Sequence, residues 1–150
     1  MKNYRVYKDN GSVDAIFIEK FEEEMGYQFP IDYKVLISSH NALRLEEDCF
    51  DIKFEGKSDS RDIFFYGFGP NIKRNLMITR KQLNKGDCIR DCLIVFGSSS
   101  NGDYICFDYG EDRESPSIVL VLHDYHDDSN KMLICPVAET FDGFMDSLYE

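Results

Sequence analysis

The spacing of apolar residues divides the chain into a helical first third and a strand-rich remainder. Ile18, Phe21 and Met25 recur at the interval that puts side chains on one face of an α-helix, with Ser12 or Asp14 available as the N-cap. Gly26 then supplies the left-handed residue at which helices commonly end. Pro30 opens a second helix, because a first-turn residue has no use for an amide hydrogen, and Tyr33, Leu36, Ile37 and His40 form its inner stripe. From Cys49 the period shortens to that of a half-buried strand: Phe50, Ile52 and Phe54 alternate with Asp51, Lys53 and Glu55.

Residues 63–68 predict a second, aromatic strand that runs into Gly67-Phe68-Gly69-Pro70. Ile72, Leu76, Thr79 and Leu83 return to helical spacing and leave Lys73, Arg74, Arg80 and Lys81 on the outer surface. Residues 93–96 and 103–109 predict a hairpin, since Asn101-Gly102 between them tolerates positive φ. The apolar run 118–122 predicts a central strand buried on both faces, and residues 132–137 an edge strand weakened by Pro136. Thr140 can cap a last helix with Phe141, Phe144, Met145 and Leu148 turned inward. The order α-α-β-β-α-β-β-β-(β)-α predicts an α+β fold, a mainly antiparallel sheet of about five to six strands flanked by helices. With no linker, repeat or low-complexity run, residues 1–150 are expected to form one domain.

Charge changes the picture more than composition does. Residues 1–92 hold 16 acidic and 15 basic side chains, whereas residues 93–150 hold 12 acidic against Arg113 and Lys131, so nearly all of the net charge of −11 falls in the last part. Such a field repels nucleic acid and anionic lipid and attracts a basic protein, although a solvated, solubilising surface is an equal alternative. No apolar stretch is long enough to span a bilayer, and residues 1–5 lack the apolar segment of a secretory signal, so a cytoplasmic protein without membrane contact is expected. Five scattered cysteines (Cys49, Cys88, Cys92, Cys106 and Cys135) read as reduced thiols and not as a disulfide framework.

Candidate chemistry is sparse. The His123-Asp124-Tyr125-His126-Asp127-Asp128 loop holds competent metal ligands at no fixed spacing, and Cys88 with Cys92 lacks zinc-type pairing, so no metal and no cofactor is expected. Ser98, Ser99 and Ser100 form a glycine-flanked turn without the spacing of a nucleophile elbow or a neighbouring histidine base. Glu22-Glu23-Glu24 reads as a solvated helix face, and the basic residues from Lys73 to Lys85 as local ion pairing.

Three segments in order resemble the SUKH superfamily, the Smi/Knr-type domains best known as bacterial immunity proteins. The first comprises Phe21-Glu22, Gly26, Phe29-Pro30, Tyr33, Leu36-Ile37 and His40-Asn41; the second is the run from Asn101-Gly102-Asp103 to Asp108. The third is Leu120-Val121-Leu122-His123-Asp124, followed by Val137-Ala138-Glu139-Thr140-Phe141-Asp142-Gly143-Phe144. Ala42 departs from the glycine and Phe29 from the leucine usual in the pattern. The resemblance implies a non-enzymatic protein that neutralises a cognate toxin by contact, a nuclease being one such toxin, with a scaffold or regulatory module as the alternative class. The expected partner is a basic toxin domain, with the chain a monomer or weak homodimer. The charge argument adds an expected binding face of Asp103, Asp108, Glu111, Asp112, Glu114, Asp124, Asp127 and Asp128, with Tyr104, Tyr109 and Tyr125 as aromatic anchors. For Asp103 and Asp108 a purely local backbone role is an equal alternative.

Overall fold

Asp14, and not Ser12, starts the first helix in this computed structural model, which describes residues 4–73, 77–78 and 92–150. Its carboxylate accepts the Ile16 amide at 3.0 Å, and α1 (Ala15–Met25) runs to Gly26, whose φ of 79° would strain any side chain. Pro30 takes the cap position of α2 (Ile31–Ser39), which turns Tyr33 and Ile37 fully inward. Glu22 corrects the reading of residues 22–24 as a solvated face. It is 5% exposed, and its carboxylate accepts the Phe29 amide at 2.8 Å and pairs with Lys34 at 3.3 Å, fixing the turn between the two helices.

Three antiparallel sheets follow. β1 (Val6–Lys8) pairs with β2 (Arg44–Leu45), and β3 (Cys49–Phe54) with β4 (Lys57–Asp62). β5 (Phe64–Phe65), β6 (Leu93–Ser98), β7 (Tyr104–Asp108), β8 (Ser117–His126) and β9 (Met132–Ala138) form a five-stranded sheet in that spatial order. The expected hairpin is β6–β7, and the expected central strand is the core of β8, where residues 118–122 are buried. Thr140 caps α3 (Phe141–Asp146) by accepting the Gly143 amide at 3.0 Å.

The aromatic strand expected at 63–68 shrinks to β5, and the chain before it forms β4 instead. Glu55 and Gly56, with φ of 53° and 77°, make the two-residue turn that joins β3 to β4. Hydrophobic alternation misses β4 because its residues, KSDSRD, are polar on both faces of an edge strand. Of the helix expected at 72–83, residues 74–76 and 79–83 lie outside the described residues. Met77 forms a parallel bridge with Gly67 and the Ile78 amide donates to the Gly67 carbonyl at 2.8 Å, which is sheet-type pairing.

The core is aromatic. Tyr33 of α2 meets Phe107 of β7 at 5.0 Å and Phe141 of α3 at 5.4 Å, while Phe96 of β6 stacks on Phe107 at 4.2 Å. These rings clamp both helices onto one sheet face, and truncating one to alanine costs about 3–5 kcal/mol. A bulge at Phe96 keeps the register of β6, and Gly97 beside it lets β5 close in: a Cβ there would lie 2.8 Å from the Phe64 carbonyl oxygen. Asn41 joins the segments around α2 to the sheet, accepting the Phe68 amide at 2.9 Å and donating to the Phe68 carbonyl at 2.8 Å. Ala42 after it takes φ of 52°, the left-handed conformation for which glycine is better suited.

Candidate protein-binding site

Of the acidic residues expected to form a binding face, Asp103 lies deepest. It is 2% exposed at the start of β7. One carboxylate oxygen accepts the His123 amide at 3.1 Å and also meets His123 Nδ1; the other accepts Arg61 Nε at 2.9 Å and Asn101 Nδ2 at 3.1 Å. Burial pushes the Asp103 carboxyl up, but the His123, Arg61 and Asn101 donors outweigh it and hold its pKa below the usual range. Tyr109 is likewise spent inside the fold: its hydroxyl donates to the Gln28 carbonyl at 2.8 Å, and its ring stacks on Tyr27 at 4.3 Å. Tyr104 and Asp108 are half-buried, Asp108 accepting the Gly110 amide at 2.8 Å.

The exposed members fall at opposite ends of β8. Glu111, Asp112 and Glu114 lie in the loop before it, where Arg113 is tied down: its guanidinium donates to the Gly26 carbonyl at 3.1 Å and sits 4.7 Å over the Tyr27 ring. Asp124 and Tyr125 lie in the last part of the strand and Asp128 just past it, Asp124 being seven residues, or about 23 Å at the rise of an extended chain, from Ser117. Asp127 is half-buried there and shapes the β8–β9 turn by accepting the Ser129 amide at 2.9 Å and the Lys131 amide at 3.0 Å. The acidic side chains therefore form two separate groups.

The second group adjoins a surface that the sequence reading did not anticipate. Tyr125 packs on Phe54, 5.3 Å between rings, which sets the β8–β9 end beside the β3–β4 hairpin. Between the outer face of that hairpin and the edge of β9 runs an open groove of about 640 Å³, lined by Asp51, Lys53, Asp59, Pro136, Val137 and Tyr149 among others. Tyr149 is held as one wall by paired backbone bonds with Cys49 at 2.8 and 2.9 Å, and its hydroxyl donates to Asp51 at 2.5 Å. Asp59 accepts Arg61 and the Ser60 amide, each at 2.8 Å, and Arg61 holds its carboxyl below the usual range. The alternation in β3 already turned Asp51 and Lys53 outward. No signal marked Asp59, because β4 has no apolar pattern.

Catalytic and metal chemistry finds little geometry. Among the described residues no serine hydroxyl bonds a histidine; His40 pairs with Asp9 and His123 with Asp103. His123 Nε2 also lies 3.2 Å from Asp124, so this part of the His/Asp loop is held by contacts between the imidazole and two carboxylates. Carboxylate oxygens of Glu46, Glu47 and Glu150 converge within 4.8 Å, but Arg5 already supplies their counter-charge, with Nε 2.5 Å from Glu47 and 3.2 Å from Glu46. Cys49, Cys106 and Cys135 are reduced thiols, and burial pushes all three above the ordinary thiol pKa, which suppresses thiolate reactivity. Cys88, Arg74, Arg80 and Lys81 lie outside the described residues. No helix among those residues is long and apolar enough to cross a membrane.

A polar groove beside exposed carboxylates and tyrosines, on an α+β scaffold, has the chemistry of a contact surface. The family described as SMI1 / KNR4 (SUKH-1) matches residues 12–147, and the chain belongs to this family. No curated protein matches it.

Proposed function

We propose that this chain is an immunity protein that binds and neutralises a cognate toxin domain by protein–protein contact. Membership of the SMI1 / KNR4 family over residues 12–147 carries the reading, since its members are generally immunity proteins rather than enzymes. The binding face we assign is the far end of β8 with the neighbouring groove: Asp124, Tyr125 and Asp128 together with Asp51, Asp59 and Tyr149. Asp124 is 76% exposed at its side chain and Tyr125 50% exposed, so both can meet a partner without unfolding anything. Exposed tyrosines supply the anchor and carboxylates the attraction to a basic cleft such as that of a nuclease. The acidic loop at 111–114, at the other end of β8 and away from the groove, is left outside this face.

The test pairs the purified chain with the toxin domain encoded beside its gene, measured by calorimetry at two salt concentrations. Asp124→Lys with Asp128→Lys is expected to weaken binding by about 10- to 100-fold and to reduce its salt sensitivity, while Asp112→Lys with Glu114→Lys leaves the affinity within about threefold. The reverse pattern would move the face to the other end of β8. No binding of the wild-type chain would remove the toxin reading.

A further inference from the structure

On the opposite edge of the five-stranded sheet, three cations gather around a small hollow in a protein whose net charge is −11. The hollow, about 110 Å³, is lined by Lys8, Arg44 and Lys73 together with Asn10, Ala42, Phe64 and Phe65. Lys8 and Arg44 are directly opposed in the β1–β2 pair, a like-charge arrangement that costs stability unless an anion relieves it. Among the described residues no carboxylate lines the hollow, and no carboxylate oxygen lies within ion-pair distance of any of the three cations. The nearby acids are bonded elsewhere: Asp62, whose carboxyl Arg44 helps to hold low through space, accepts the Ser100 amide at 2.8 Å and the Ser100 hydroxyl, and Asp9 pairs with His40 at 2.6 Å. Arg44 is held in place, its guanidinium 5.0 Å from the centre of the Phe64 ring. Ala42 and Phe65, both buried, make an apolar floor beneath the charged rim.

We infer that this hollow binds a phosphate dianion, and that the form it takes best is a small phosphate monoester whose organic group rests on Ala42, Phe64 and Phe65. A monoester carries about −1.5 to −2 charge at pH 7 and so offsets more of the three positive charges than a single carboxylate does. Arg44 supplies the planar fork that suits two phosphate oxygens, and Lys8 and Lys73 act as point charges on either side. The volume accommodates a phosphate with a short or flat substituent and excludes a nucleotide lying within it. The site stands on the β5 edge, four strand spacings or about 19 Å from the β9 edge where the proposed partner face lies, and does not rest on that proposal.

The experiment is an NMR titration of the intact chain with phenyl phosphate, inorganic phosphate and benzoate, following the amides of Ala42, Arg44, Phe64 and Phe65. Saturable shifts at those amides are expected with both phosphates, the ester binding about tenfold more tightly than the free ion, and benzoate binding least. Arg44→Gln should weaken the ester by about tenfold or more. Arg44 and Lys73 are exposed, so Lys73→Gln offers a second variant that disturbs no strand pairing, and it should weaken the ester as well. Free phosphate equal to the ester would overturn the role of the apolar floor, and benzoate equal to either phosphate would overturn the dianion assignment. Absence of saturation for all three, or binding indifferent to both variants, would overturn the site itself.

Discussion

Replacing Asp103 by asparagine keeps the shape of a 2%-exposed side chain and removes its charge, so the change isolates the electrostatic contribution of the Asp103 cluster. Taking away one member of a buried ion pair costs about 3–5 kcal/mol when the other is left stranded. Here the partners reach water, with the Arg61 side chain 17% and that of His123 31% exposed, and their partial resolvation reduces the expected cost to about 2–4 kcal/mol. In a chain of this size that lowers Tm by roughly 5–15 °C. The assay is urea unfolding of both proteins at several pH values, with Tm as a check. Because the folded Asp103 pKa lies below its unfolded value of about 3.9, the stabilisation is complete above that value and is lost as pH falls through the folded one. Asp9, Asp59 and Asp62 are also held low, so both proteins weaken in acid and only the gap between them reports on Asp103. That gap should be full at pH 7 and shrink below about pH 4. A gap under about 1 kcal/mol at pH 7, or one that stays constant down to pH 3, would refute the assignment of Asp103 as the charged centre of the cluster.

Two further substitutions test the packing. The Tyr33 hydroxyl is buried and finds no hydrogen-bond partner among the described residues, so Tyr33→Phe should leave stability unchanged or raise it by up to about 1 kcal/mol in denaturant unfolding; a loss would reveal a partner for that hydroxyl. Gly97→Ala should cost about 1–3 kcal/mol and speed exchange of the Tyr66 amide, which donates to the Phe96 carbonyl of β6, because its methyl would push the Phe64 carbonyl off β6; normal stability and exchange would show that β5 can move aside freely.

Much of this fold was legible because apolar periodicity and caps act locally. Asp14, Gly26 and Thr140 end or begin helices through bonds within four residues, and residues 118–122 announce a buried strand by composition alone. What failed to show depends on distant neighbours. β4 is a strand because β3 offers it a ladder, and no pattern within KSDSRD says so. Glu22 leaves the solvated face because the Phe29 amide and Lys34 approach it across a turn, and Asp103 turns inward because Arg61 arrives from a strand 42 residues earlier. Carboxylates are hard to assign from sequence because the same group suits water, a turn amide or a buried guanidinium equally well, and only tertiary structure decides among these.

The binding face shows the same difficulty at larger scale. Linear charge asymmetry, with ten surplus carboxylates after residue 92, suggests one acidic surface, but an extended strand separates its ends as efficiently as a rod. β8 carries Asp124 away from Glu114 and delivers it beside the hairpin that presents Asp51 and Asp59, which come from the nearly neutral part of the chain. The converse holds for the cations: Lys8, Arg44 and Lys73 are scattered in sequence among acidic residues and are gathered by the pairing of β1 with β2 next to β5. A field several kT deep depends on what lies within a Debye length, about 8 Å in physiological salt, and not on what is adjacent in the chain. The two edges of one sheet can therefore carry opposite polarity, so charge reversals near β9 and neutralisations near β5 should act on different ligands without affecting each other.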